Sequence, residues 1–143
     1  MKLFVDTWGW LAIEDRKDPK HAEALDCYRQ RIAVKGRVIT SDYVLDETYT
    51  FLFRHRPFAE AWKFLEAIHA SVARGTVSLQ PVTPERFMAT VEMRRKLSDK
   101  PRISFTDLTS FVIMNELQVR EVLTGDDHFH QAGFGFSMVP GPE

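Results

Sequence analysis

The sequence has a single cysteine, no excess of charge and no long apolar run. Cys27 stands alone among 143 residues, so no disulfide can form within the chain, and a reducing compartment is expected. Lysine and arginine total 19 against 20 for aspartate and glutamate. This balance excludes the strongly basic domains that bind nucleic acid by net charge. A polyanionic partner would have to be held by a local basic surface or through metal ions.

The first residues, MKLFVDTWGWLAIEDRK, combine a lysine with apolar residues, as a signal peptide does. However, Asp6 interrupts the apolar run, no small-residue cleavage site follows, and the run is too short to cross a bilayer. We interpret this segment as a buried strand that leads into a helix. A cytoplasmic protein without membrane attachment is expected.

Strand and helix patterns alternate along the rest of the chain. Strands are predicted at 2–5, 38–40, 76–82 and 121–124, with a short edge strand near 136–139. Helices are predicted at 7–13, 19–34, 41–53, 58–73, 83–97 and 104–117. The alternation predicts a three-layer α/β/α fold with a central, mainly parallel sheet of four or five strands. The length suits one domain covering residues 1–143.

Acidic residues follow two of the predicted strands. Asp6 comes directly after the apolar run Leu3–Val5, and Asp126 and Asp127 follow the last inner strand. In a parallel α/β sheet, ligands bind at the carboxyl ends of the strands. Each acid also has an ordinary explanation, because aspartate caps helices and forms turns. His128 and His130 are interpreted as exposed turn residues and are left out of the site.

Two further acids fall near predicted helix starts. On a helix, Glu47 would share a mostly apolar stripe with Val44 and Phe51, where an ionised carboxylate is costly unless it is paired or bound to metal. Ser104 and Asp107 form an S-x-x-D pattern, which is also a plain capping box. Clustered carboxylates repel one another unless cations bind them. A convergence of these acids would therefore predict a Mg²⁺ or Mn²⁺ site.

Four segments together resemble the PIN domain, and more narrowly the VapC-type toxin ribonucleases of toxin–antitoxin pairs. They are F-V-D-T at 4–7, T-S-D-Y-V-L-D-E at 40–47, I-S-F-T-D-L-T-S-F at 103–111 and L-T-G-D-D-H-F at 123–129. The resemblance spans nearly the whole chain. It implies that Asp6 and Asp107 are direct metal ligands and that Glu47 and Asp126 complete the acidic pocket. Gly125 and Asp127 flank Asp126, so the register of the last acid stays open between the two aspartates.

The resemblance also implies roles for neighbouring residues. Thr7 and Thr106 would orient ligands or water, and Trp8 and Trp10 are bulkier than the residues often found after the first acid. The activity implied is Mg²⁺-dependent hydrolysis of RNA by a metal-activated water, leaving a 5′-phosphate and a 3′-hydroxyl. Candidate RNA contacts are the basic residues Arg16, Lys17, Lys20, Arg54, Arg56, Arg94, Arg95, Lys96, Lys100 and Arg102.

The predicted helices at 43–53 and 58–68 carry more aromatic residues than a small core needs, unless all of them pack inside. They are Phe51, Phe53, Phe58, Trp62 and Phe64. The resemblance implies an antitoxin helix and a homodimer face there, with an antitoxin arginine entering the acidic pocket. The alternatives are a nuclease of RNA maturation or DNA processing without a toxin role, and a non-catalytic binding scaffold. A phosphoacceptor domain is disfavoured, because no lysine follows Lys100.

Overall fold

The computed structural model describes residues 1–141, in which five strands form one parallel sheet. The strands are β1 (Lys2–Val5), β2 (Arg37–Ser41), β3 (Val77–Gln80), β4 (Glu121–Leu123) and β5 (Ser137–Val139). Their order across the sheet is β3-β2-β1-β4-β5, and every neighbouring pair is parallel. The predicted three-layer fold with a central parallel sheet is confirmed.

Seven helices connect and cover the strands. They are α1 (Thr7–Glu14), α2 (His21–Ala33), α3 (Asp42–His55), α4 (Phe58–Ala73), α5 (Pro84–Lys96), α6 (Phe105–Glu116) and α7 (His128–Gln131). Six of them match predicted helices to within a few residues, whereas the four-residue α7 is new. None of the helices within residues 1–141 is both long and apolar enough to cross a membrane.

The strands β1 and β4 lie at the centre of the sheet and are apolar on both sides. Leu3, Phe4 and Val5 are fully buried, as are Val122 and Leu123, because helices cover both faces of a parallel sheet. Helix α6 is equally apolar, and Leu108, Phe111 and Met114 are fully buried in the same core. The chain therefore leaves this core at two adjacent strand ends, after Val5 and after Leu123.

The neighbours of β1 are β2 on one side and β4 on the other, so the direction in which strands are added reverses between β1 and β4. This topological switch point opens a crevice at the carboxyl ends of the two strands. Asp6 follows β1 there, and Thr124 follows β4.

Candidate active site

Asp6 is the most deeply buried acid of the crevice. Its carboxylate caps α1 by accepting a hydrogen bond from the Gly9 backbone nitrogen at 2.8 Å. The Thr124 hydroxyl donates to the other carboxylate oxygen, Oδ2, at 2.5 Å. Burial raises the pKa of Asp6 to about 8 against these two hydrogen bonds, and the negative charges of Asp107 and Asp126 raise it further. Capping and a place in an acidic cluster thus coexist in one side chain.

Asp107 lies in the first turn of α6, where the Ser104 hydroxyl caps the helix by accepting from the Asp107 backbone nitrogen at 3.0 Å. Asp107 is buried, with its side chain 12% exposed. Burial raises the pKa of Asp107 to about 6, against a hydrogen bond with His128 that lowers it, and the nearby charges of Asp126 and Glu47 add to the rise. Ser104 therefore caps the helix as predicted, whereas the Asp107 carboxylate contacts His128 and does not complete the capping box among the hydrogen bonds of residues 1–141.

Asp126 faces Asp107 across a histidine. Nδ1 of His128 lies 3.1 Å from Asp107 Oδ2 and 3.2 Å from Asp126 Oδ1. Asp126 Oδ1 also accepts from the His128 backbone nitrogen at 3.0 Å. One ligand atom from each of these three side chains lies within 4.8 Å of the others, close enough to share an ion.

Asp127 has a different environment from Asp126. It is exposed, and its Oδ2 accepts a hydrogen bond from the Gln131 side chain at 2.9 Å along α7. In this structure the carboxylate that faces Asp107 is therefore that of Asp126.

Glu47 departs from its predicted environment. The sequence interpretation placed it on an apolar stripe of its helix, but its side chain is exposed, as is that of Asp46. The face of α3 that packs inward carries Val44, Thr48 and Leu52, one position away from the stripe expected. The burial argument for Glu47 was therefore wrong. Its charge nevertheless contributes to the raised pKa of Asp107, so it lies at the rim of the same cluster.

The residues present fit a hard divalent cation. Within residues 1–141, no lysine or arginine forms an ion pair with Asp6, Asp107 or Asp126. Beside Asp6, the buried Thr7 hydroxyl has no hydrogen-bond partner. Carboxylate and hydroxyl oxygens are the ligands that Mg²⁺ and Mn²⁺ prefer.

Sequence reasoning missed two polar residues of this site. Thr124 accepts a hydrogen bond from the Asp126 backbone nitrogen at 2.9 Å while donating to Asp6, so it links the ends of β1 and β4. In the sequence, Thr124 stands two residues before Asp126, and in turns a threonine hydroxyl often bonds the backbone nitrogen two residues later. His128 was interpreted as an exposed turn residue, and only the position of Asp107, distant in sequence, reveals its role.

Several of the basic residues proposed as RNA contacts have structural partners instead. Arg94 donates to the backbone oxygens of Leu97, Lys100 and Ile103 and so ties α5 to the segment before α6. Arg56 pairs with Glu14 at 3.0 Å. Arg95 pairs with Glu92 and Lys100 with Asp99, both at the surface.

The five aromatic residues singled out on α3 and α4 have three different environments. Phe51 is partly exposed and stacks on His55 of its own helix, with ring centroids 4.1 Å apart. Phe64 packs against the core, with its ring centroid 6.5 Å from that of Trp10. Phe53, Phe58 and Trp62 are exposed and form a continuous row, with centroids 5.3 and 5.9 Å apart. Core packing therefore accounts for only part of this aromatic content.

The PIN domain family matches residues 3–135 of this chain. The 23S rRNA-specific endonuclease VapC20 of Mycobacterium tuberculosis is 30% identical over 135 residues, which are 92% of this chain and 95% of VapC20. The crystal structure of that protein, described as a sarcin–ricin loop cleaving toxin, superimposes with a TM-score of 0.73. VapBC2 from Rickettsia felis, crystallised with a DNA fragment of its promoter, has the same fold. Its TM-score is 0.72 at 14% identity, covering 96% of this chain and 97% of that one.

Proposed function

This chain belongs to the PIN domain family of nucleases, and we propose that it is a Mg²⁺-dependent endoribonuclease acting as the toxin of a type II toxin–antitoxin pair. The observation that carries the proposal is that Asp107 and Asp126 offer ligand atoms to one shared site, beside the buried Asp6 at the switch point of the sheet. Among residues 1–141 no lysine or arginine forms an ion pair with these acids. We further propose that residues 1–143 act as one nuclease domain.

Asp6 and Asp107 are the proposed direct metal ligands, with Asp126 and Glu47 completing the pocket. A bound divalent cation supplies an activated water and offsets the charge that develops on the scissile phosphate. The chain's own residues hold the carboxylates in place. Gly9 and Thr124 bind the two oxygens of Asp6, and His128 contacts the carboxylate of Asp107. Exposed Glu47 lies near enough for its charge to act on Asp107.

RNA is the proposed substrate, and hydrolysis by water would leave a 5′-phosphate and a 3′-hydroxyl. The relative VapC20 acts on 23S rRNA, so a large ribosomal RNA fragment is a rational first substrate. The purified chain should cut RNA with Mg²⁺ or Mn²⁺ and stop when EDTA is added. End-labelling of the fragments identifies their termini. Cleavage that continues in EDTA, or fragments with 2′,3′-cyclic phosphate, would contradict the proposal.

A matched pair on α3 tests the position of Glu47. Glu47→Gln removes a charge from the pocket rim, whereas Asp46→Asn removes the charge of its exposed neighbour. We expect cleavage to fall roughly tenfold in the first variant, the lower end of what outer-shell residues contribute, and to stay unchanged in the second. Equal activities in the two variants would remove Glu47 from the site.

The antitoxin is proposed to cover two surfaces. Its helix would lie on the exposed row Phe53, Phe58 and Trp62, since exposed aromatic patches mark protein interfaces. A basic side chain of the antitoxin would enter the acidic pocket, where a carboxylate–guanidinium pair is favourable. A homodimer is proposed as well, and light scattering of the purified chain measures it.

The toxin role can be separated from nuclease activity. Expression of the chain in bacteria should arrest growth, and co-expression of a short reading frame from directly upstream should restore it. A nuclease serving RNA maturation would instead cut RNA in vitro without arresting growth and without such a neighbouring frame.

A further inference from the structure

Helix α1 carries two tryptophans in different environments. Trp10 is 2% exposed, packs edge-on against Tyr28 and Phe64, and donates its indole N–H to the Thr40 hydroxyl at 3.0 Å. Trp8 lies at the edge of the core and is partly exposed. No aromatic ring within residues 1–141 packs on it. Core packing therefore explains Trp10 fully and Trp8 only in part.

Trp8 forms one wall of an open cavity of about 840 Å³. Apolar side chains, including Phe136 and Met138, line other parts of it, and His130 and Ser137 add polar atoms. The lining also contains the charged side chains of Lys20 and Asp127. This volume is within the range of cavities that bind small organic ligands.

The cavity adjoins the acidic cluster through the loop after β4. Thr124 and Gly125 line the cavity. The Thr124 hydroxyl donates a hydrogen bond to Asp6, and Asp126 directly follows Gly125 in the chain. A group bound in the cavity would therefore be next to the acidic cluster.

Gly125 is required for this arrangement. A Cβ atom at this position would lie 2.4 Å from Cε2 and 2.6 Å from Cζ2 of Trp8. The missing side chain thus lets the indole approach the backbone of the loop that carries Asp126.

We propose that the cavity beside Trp8 is a subsite for one unpaired nucleobase of the RNA, next to the phosphate that is cut. This inference rests on the proposed nuclease function. Proteins bind single-stranded RNA by stacking splayed bases on aromatic side chains and contacting their polar edges. The indole and the apolar lining suit the faces of a base, and Ser137 and His130 suit its edges.

Cleavage kinetics with a modified substrate test the subsite. One nucleotide at a time near the cut is made abasic, and kcat/KM is measured for the wild type and Trp8→Leu. Stacking of one base contributes a factor of about 5 to 150, so we expect Trp8→Leu to lose about this factor on intact RNA. On the RNA that is abasic at the subsite position, the substitution should cause no further loss. Trp8→Phe should retain most of the activity.

The inference would be overturned if the loss caused by Trp8→Leu multiplied with the loss caused by the abasic site at every position tested. Wild-type kinetics in Trp8→Leu would overturn it as well. If Trp8→Leu bound the antitoxin more weakly but cleaved RNA with unchanged kinetics, the inference would also be overturned, because the cavity would then bind a protein side chain.

A second measurement does not depend on cleavage. In EDTA and low salt, a single-stranded RNA oligonucleotide should quench tryptophan fluorescence in the wild type and in Trp62→Leu, but not in Trp8→Leu. Quenching with no cleavage under any metal would support the subsite and reject the proposed nuclease function. Cleavage by the wild type without quenching, or quenching that persists in Trp8→Leu, would reject the subsite alone.

Discussion

The amino ends and the carboxyl ends of strands β1 and β4 differ in how their charged side chains are neutralised. At the amino end, Arg31 pairs with Glu121 at 2.9 Å, and Lys2 donates to the Leu117 backbone oxygen at 2.7 Å. At the carboxyl end, Asp6 and Asp107 are buried with raised pKa values, and His128 is the one basic side chain in contact with the cluster among residues 1–141.

Within one sheet, charges that pair with each other thus lie at one end, and the charges of the proposed active site lie at the other. Paired charges at the amino end satisfy each other and need no ligand. Carboxylates whose pKa values are raised by burial and by one another's charge cost stability unless a cation binds them. Under the proposed function, the carboxyl end is therefore the end at which stability is lost in favour of metal binding.

The largest effect is expected from Asp107→Asn, which keeps the shape of the side chain and removes its charge. RNA cleavage should fall by about a thousandfold or more, as losses of key catalytic groups do, while circular dichroism shows an unchanged fold. In EDTA the thermal unfolding temperature should stay equal or rise, because a like charge has been removed. Activity within tenfold of the wild type would show that cleavage does not need the charge of Asp107 at the carboxyl end.

The pH dependence of stability should show the same contrast in the metal-free protein. Asp6 and Asp107 ionise near pH 3.8 when unfolded but at about 8 and about 6 when folded. The folded state thus holds more protons in this range, and the free energy of unfolding should fall as the pH rises from 4 to 8.

Urea titrations in EDTA at pH 5 and pH 8 should differ by a few kcal/mol, since one pKa unit corresponds to about 1.4 kcal/mol. Added Mg²⁺ should restore stability at pH 8, and Asp6→Asn should flatten the profile. Stability that rises from pH 5 to pH 8 in EDTA would show that the acids are compensated by other groups.

Thr124→Val should have an intermediate effect. It removes the hydroxyl that donates to Asp6 and accepts from the Asp126 backbone nitrogen. Loss of such a supporting contact typically lowers metal affinity or activity by about 10- to 100-fold. Calorimetric Mn²⁺ binding and cleavage should both weaken, and Thr124→Ser, which keeps the hydroxyl, should restore both. Failure of serine to restore Mn²⁺ binding would assign the effect to packing.

The smallest effect is expected at the amino end. Glu121→Gln breaks the pair with Arg31, in which the two side chains are 37% and 12% exposed. Partly exposed ion pairs contribute about 1 kcal/mol or less, so the urea midpoint should shift slightly. Cleavage and Mn²⁺ binding should remain at wild-type values. A large loss of cleavage would show that the two ends are coupled through the strands.

Local patterns were enough for the features that one segment determines. The apolar run Leu3–Val5 predicted β1 and the acid at its end, and Ser104 predicted the start of α6. Helix α4 was predicted with its observed bounds, because Pro57 and Gly75 enclose it. The parallel pairing of the strands followed from alternation, since parallel strands require helical crossovers.

Features that depend on contacts between distant segments could not be predicted. His128 acquires its role from Asp107, 21 residues away, and α7 is too short to show a helical period. The exposure of Glu47 depends on which face of α3 meets the core, and an error of one position rotates a helix by 100°. The Trp8 wall depends on its approach to Gly125, more than a hundred residues later.

The central position of β1 also governs when the protein can become active during its own synthesis. β1 is translated more than a hundred residues before its partner β4, which begins at Glu121 and is followed by Asp126. The acids cannot converge until β4 and the loop after it have been translated. Under the proposed function, a growing chain that lacks this part would not yet cleave the RNA around it.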